Sequence, residues 1–113
     1  MNKNDLIASV AERTGMSKAG AAQAVDATFE AIEGALKSVG SCIEDVVQSR
    51  IFIPNVADAR AVMDYVGERF HGIDPQRTVT CSPLGAPEFK VEIEVTAYRG
   101  ASKAEVEHIE ISL

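Results

Sequence analysis

Few side chains in this sequence stand out as able to do chemistry. The candidates are Cys42 and Cys81, His71 and His108, Arg77, and the pair Glu92 and Glu94. The two histidines are far apart in the chain, with no carboxylate or cysteine at ligand spacing, so no metal site is expected. His71 instead sits where a helix should end, a position that complements the helix dipole. Two cysteines do not make a disulfide framework in such a chain and read as reduced thiols. Glu92 and Glu94, two apart on a strand, place their carboxylates about 7 Å from one another on one face, which is ordinarily a solvated arrangement. Arg77, taken alone, is a surface arginine at the start of a strand. No Ser-His-Asp set, phosphate loop or dinucleotide fingerprint can be read. No cofactor is expected.

At 113 residues, 46% hydrophobic and 25% charged, the chain has the balance of one globular domain. The net charge of −6 argues against a general affinity for nucleic acid or an anionic membrane. Most of that charge falls after residue 40. The start, MNKNDLIASV, lacks the apolar core of a signal peptide, and no apolar run approaches a membrane span of roughly 20 residues. A cytoplasmic protein is expected.

The elements that must position these side chains follow from periodicity. Asn2 caps a first helix with Leu6, Ile7, Val10 and Ala11 on one stripe, and Gly15 stops it. Ser17 caps a second helix, whose stripe is Ala21, Val25, Phe29, Ile32 and Leu36, ended by Gly40. The first 39 residues thus predict a helical hairpin. Ser41 to Glu44 forms a capping-box pattern for a short turn over 42–46. Val47 to Ile53 alternates as a strand, with Val47, Ser49, Ile51 and Ile53 inward, and Pro54 ends it. Asp58 caps a helix with Ala59, Val62, Val66 and Phe70 buried and Gly72 as its stop. Arg77 to Ser82 is a strand with Val79 and Cys81 on one face, Cys81 reading as a small core residue. Phe89, Val91, Ile93, Val95 and Ala97 form the inward face of a long strand, and Val106 to Leu113 a further short one. The order ααβαβββ predicts an α+β fold, a helical hairpin packed with a small mixed sheet.

Two resemblances divide the chain. Residues 1–39 resemble the N-terminal helical hairpin of the HU family of histone-like DNA-binding proteins, through Met1-Asn2-Lys3, Asp5-Leu6-Ile7, Ala11-Glu12, Ser17-Lys18, Ala24-Val25-Asp26 and Ala35-Leu36-Lys37. In that family the hairpin builds a dimer body, and glycine-rich basic β-arms grip the DNA. Nothing after Lys37 resembles those arms, so the DNA-binding role does not carry over, and Lys3, Lys18 and Lys37 read as solvated surface.

Residues 40–99 resemble the C-terminal half of the RidA family, also called YjgF-like or endoribonuclease L-PSP. The match runs through Ile43-Glu44-Asp45-Val46-Val47, Arg50-Ile51-Phe52-Ile53, Phe70, Pro75-Gln76-Arg77-Thr78 and Val91-Glu92-Ile93-Glu94-Val95-Thr96-Ala97. The resemblance implies a chorismate-mutase-like half, trimeric assembly with a cleft between subunits, and hydrolysis of enamines and imines such as 2-aminoacrylate without a cofactor. It also implies that Arg77 grips the substrate carboxylate and Glu92 positions water, with Glu94 structural. Where the family often has a cysteine this chain has Val79, and Ala24 and Ala31 replace its usual Gln and Asn. The family's N-terminal strands, which give the cleft a tyrosine and a serine-glycine segment, have no counterpart.

These observations favour a single domain, 1–113, joined by engineering or recombination from HU and RidA-like fragments, with residues 100–113 as a tail and no assured activity. A divergent RidA-like deaminase that hydrolyses enamines or imines, with a small imino or keto acid as its ligand, is the alternative. A DNA-binding module ranks third. Either ancestry predicts a homo-oligomer, dimer or trimer, because a small sheet covered on one face leaves a face or edges open.

Overall fold

The computed structural model describes residues 15–105 and 109–112. The expected first helix lies outside the described residues. Among the described residues the architecture is α+β: two helices on one face of a three-stranded mixed sheet. Helix α1 spans Lys18–Ser38. Its first turn is closed by Ser17, whose Oγ accepts the Gly20 N–H at 3.0 Å. At its other end Gly40 has φ +75°, its N–H bonds the Lys37 carbonyl, and the Ser41 N–H reaches back to Leu36. That double bond is the Schellman stop, and glycine enters the left-handed conformation it needs without a Cβ penalty.

Strand β1 spans Val46–Ile53, helix α2 Ala59–Arg69, β2 Gln76–Cys81 and β3 Glu92–Ala97. β1 is central, parallel to β2 and antiparallel to β3. The core is one layer between sheet and helices: Ala21, Val25 and Phe29 from α1, Val46, Ile51 and Ile53 from β1, and Val62, Val66 and Phe70. Phe29 and Phe70 meet edge to face with centroids 4.9 Å apart. The Arg69 guanidinium lies 5.1 Å from the Phe29 ring centre and pairs with Asp26 and Glu33, so one side chain ties α2 to α1.

Several expectations need correction. The inward alternation of β1 fails at its start: Val46 is buried and Val47 is 38% exposed. The ladder to β3 shifts register between Val46 and Gln48, and such a bulge turns the side chains before it to the other face. The turn before β1 is a 3-10 turn, Ile43–Asp45, and Ser41 does not cap it; its Oγ donates to Asp45 Oδ2 at 2.7 Å. Asp58 precedes α2 without capping it. The preceding 3-10 turn, Val56–Asp58, is closed by Asn55, whose Oδ1 accepts the Ala57 N–H.

Strand β3 begins at Glu92 rather than at Phe89. Its partner β1 ends at Ile53 before Pro54, which offers no N–H, so Phe89 has no ladder to join and is 54% exposed. Every residue of β2 is exposed, including Val79 at 43% and Cys81, so Cys81 is not a core residue. β2 is a sheet edge, and the helices cover the central strand instead. Of the expected tail strand, residues 106–108 and 113 lie outside the described residues; 109–112 are in no strand, and Ile109 and Ile111 are 73% and 78% exposed. Alternation makes a strand only where a neighbour supplies the ladder.

Candidate functional site

Arg77 is the second residue of β2, directly opposite Ser49 on β1. Ser49 is fully buried and faces the helices, so Arg77 leaves the sheet on the helical side. There its guanidinium approaches α2 at Gly67, where a Cβ would stand 3.7 Å from Nη1. The Ser49 Oγ donates to the carbonyl of Gln76 at 3.3 Å, fixing the strand just before Arg77. The arginine itself stays exposed. An exposed fork of donors at a sheet edge can take a carboxylate in two places.

Glu92 opens β3, opposite Phe52. Ser49 and Phe52 are three positions apart on one strand, so they point to opposite faces, and Glu92 emerges on the face away from the helices. β2 and β3 are also the two outer strands of the sheet. Arg77 and Glu92 are therefore separated by the central strand and by the thickness of the sheet. Within one chain they cannot hold the same small molecule. Glu94 shares the outer face with Glu92 and sits opposite Arg50 in the ladder.

Sequence reasoning passed over two further features. One is a cleft of about 520 Å³ at the carboxyl ends of β1 and β2, lined by residues including Pro54, Val56, Cys81, Pro87, Phe89 and Lys90. A smaller one, about 380 Å³, lies at the opposite end of β1 beside Val47, Pro75 and Ser102. Neither contains Arg77 or Glu92. Loops build both clefts, and periodicity does not predict which loops meet.

The other feature is a pair of buried carboxylates. Asp45, 3% exposed, accepts the Ser102 N–H at 2.9 Å and the Ser41 hydroxyl. Those bonds, that from the Ser102 backbone foremost, hold its carboxyl well below the ordinary carboxylate range. Asp58, also 3% exposed, accepts the backbone N–H of Met16. Their signal in the sequence is faint, an aspartate at each end of an apolar strand.

Cys42 offers little nucleophile chemistry. Burial pushes the Cys42 thiol up, and its hydrogen bond with Glu44 adds to the rise, which disfavours the thiolate. Among the described residues no group of three or more His, Cys, Asp or Glu side chains could hold a metal ion, and no helix is long and apolar enough to cross a membrane.

Comparison with known proteins finds relatives of both kinds. Forty residues are 60% identical to the DNA-binding protein HRm of Rhizobium meliloti, and forty are 60% identical to DNA-binding protein HU-1 of Halalkalibacterium halodurans. In each case the match covers 35% of this chain, and the chain spans only 44% of the length of those curated relatives. Among solved structures, a member of the YjgF/YER057c/UK114 family from Mycobacterium tuberculosis is 36% identical over 76% of this chain and 73% of its own, with a TM-score of 0.63. A YjgF family protein from Neisseria meningitidis is 27% identical over 70% and 67%, with a TM-score of 0.62. The family model described as endoribonuclease L-PSP matches residues 7–99, well ahead of the Gly40 boundary drawn from the sequence. A match of that extent reaches through α1 and every strand, so the chain belongs to the endoribonuclease L-PSP (RidA/YjgF) family.

Proposed function

We propose that the protein is a RidA-like deaminase that hydrolyses a small 2-imino acid, or the enamine it tautomerises from, to a keto acid and ammonia. The observation that carries the reading is the match of residues 7–99 to the endoribonuclease L-PSP (RidA/YjgF) family. Arg77 and Glu92 lie on opposite faces and opposite edges of the sheet. Such a pair serves one substrate only when Arg77 of one copy meets Glu92 of another, so the reading requires a homo-oligomer. Arg77 would fork onto the substrate carboxylate and orient the adjacent C=N carbon. Glu92 would hold water and take its proton as the water oxygen bonds to that carbon. Return of that proton to the nitrogen gives a carbinolamine; transfer of its hydroxyl proton to the amine then breaks the C–N bond, releasing ammonia and leaving the keto acid. The net charge of −6 suits a cytoplasmic protein with a small ligand better than one with a polyanionic partner.

Mixing complementary variants tests the reading. Arg77→Ala and Glu92→Gln should each be inactive on 2-aminoacrylate generated in situ. Random co-assembly of the two should restore activity, because about a quarter of interfaces in a cyclic oligomer then pair an intact arginine with an intact glutamate. An inactive parent protein, or a mixture as dead as its parts, sinks the proposal.

A second reading is a recombined or engineered chain whose HU-derived segment replaced the N-terminal strands of a RidA-like ancestor, leaving no assured activity. The 60% identity to HRm confined to forty residues favours the recombination. An uninterrupted reading frame in a genome, together with turnover by the parent protein, would exclude the inert engineered form.

A further inference from the structure

The cleft at the carboxyl ends of β1 and β2 takes no part in the proposed reaction, since neither Arg77 nor Glu92 lines it. β1, α2 and β2 form a βαβ unit with its two strands parallel and adjacent. The crevice outside the carboxyl ends of such strands is where open α/β sheets bind small molecules. One wall comes from Pro54 to Val56, on the way from β1 to α2, and another from Pro87, Phe89 and Lys90 before β3. The volume, about 520 Å³, falls within the range of small-molecule pockets. Pro54 and Pro87 carry no N–H, so neither wall presents that backbone donor for a ligand to satisfy. Val56 and Phe89 are 73% and 54% exposed, apolar surface that a hydrocarbon chain or ring would remove from water.

The charge open to a ligand has one sign. Asp58 lines the cleft, but it is 3% exposed and its carboxylate is engaged by the Met16 N–H. Lys90 is exposed, and its neighbour Glu88 is not part of the lining. An ammonium beside apolar walls recognises a monoanion with an apolar body. One such point charge suits a carboxylate, whereas a phosphate dianion calls for several donors.

We propose that this cleft binds a small apolar carboxylic acid, its hydrocarbon part against Val56 and Phe89 and its carboxylate on Lys90. The site is separate from Arg77 and Glu92 and goes beyond the deaminase reading, since a single copy of the chain supplies all of it.

Calorimetric titration of the full chain with 3-phenylpropionate tests the proposal. Saturable binding with a Kd of about 1 mM or tighter is expected, and the neutral 3-phenylpropanamide should bind more weakly. Lys90→Gln should weaken the acid about fivefold and leave the amide unchanged. Phe89→Ala should weaken both about tenfold. Arg77→Ala should bind the acid as the parent does while losing turnover, so failure of this proposal is distinguishable from failure of the deaminase reading. Cys81 lines the cleft and reports on its occupancy, while Cys42 lies at the other end of β1. In Cys42→Ser protein, the acid at about ten times its Kd should slow maleimide modification of Cys81 about tenfold. No saturable binding, an amide that binds as tightly as the acid, or no protection of Cys81 would each overturn the proposal. So would binding lost with Arg77→Ala and kept with Lys90→Gln, which would place the acid at the other site.

Discussion

Asp45 and Asp58 show what single residues do here that composition does not reveal. Each is buried, and each accepts a hydrogen bond from a backbone N–H 42 or more positions away. Asp45→Asn should lower Tm at neutral pH, measured by circular dichroism. The pH dependence has a definite sign. A carboxyl held below its ordinary range stabilises the fold above the unfolded value of about 3.9 and loses that contribution as pH falls below it. Melts from pH 7 down to pH 3 should therefore lose Tm more steeply for the parent than for Asp45→Asn. Gly15→Ala should destabilise by about 1–2 kcal/mol from the left-handed backbone alone, more once the clash with Asp58 is added. Denaturant titration reads that directly. The roles of Arg77 and Glu92 came from family resemblance. Their separation came from register, which no single strand's sequence contains.

Helices were the most legible elements. The stripe Ala21, Val25, Phe29 is fully buried as its spacing predicts, with Ile32 and Leu36 half-buried farther along. Phe29→Ala should cost about 3–5 kcal/mol, against much less for Ile32→Ala, because only Phe29 packs on Phe70 beneath Arg69. Strands were legible in existence and obscure in setting. The alternation of β1 holds from Ser49 to Ile53 and breaks at the bulge, so Val47→Lys should be nearly neutral and Val46→Lys strongly destabilising. Thermal melts of the two separate the observed register from the unbroken one. β2 and the tail misled for one reason. Their apolar spacing is real, but burial and pairing depend on neighbours that sequence order does not name.

For the whole molecule, the fold class was readable from the alternation of helical and strand periods, whereas the sheet order β2-β1-β3 was not. An edge strand and a central strand can share the same composition. The acidic balance makes its own prediction: duplex DNA should show no retardation with this protein at about 0.15 M salt, despite the 60% identity to HRm over forty residues. Retardation that weakens with added salt would restore a nucleic-acid role to the HU-like segment.

The two aspartates flank β1, one at each end, and what they grip is peptide backbone: the N–H of Met16 on one side and of Ser102 on the other. A socket that recognises an amide accepts any residue except proline, whatever its side chain. The central strand can therefore exchange its terminal extensions through evolution while keeping the same two attachment points. Gly15 is the one fixed requirement at the incoming end, since nothing larger clears Asp58.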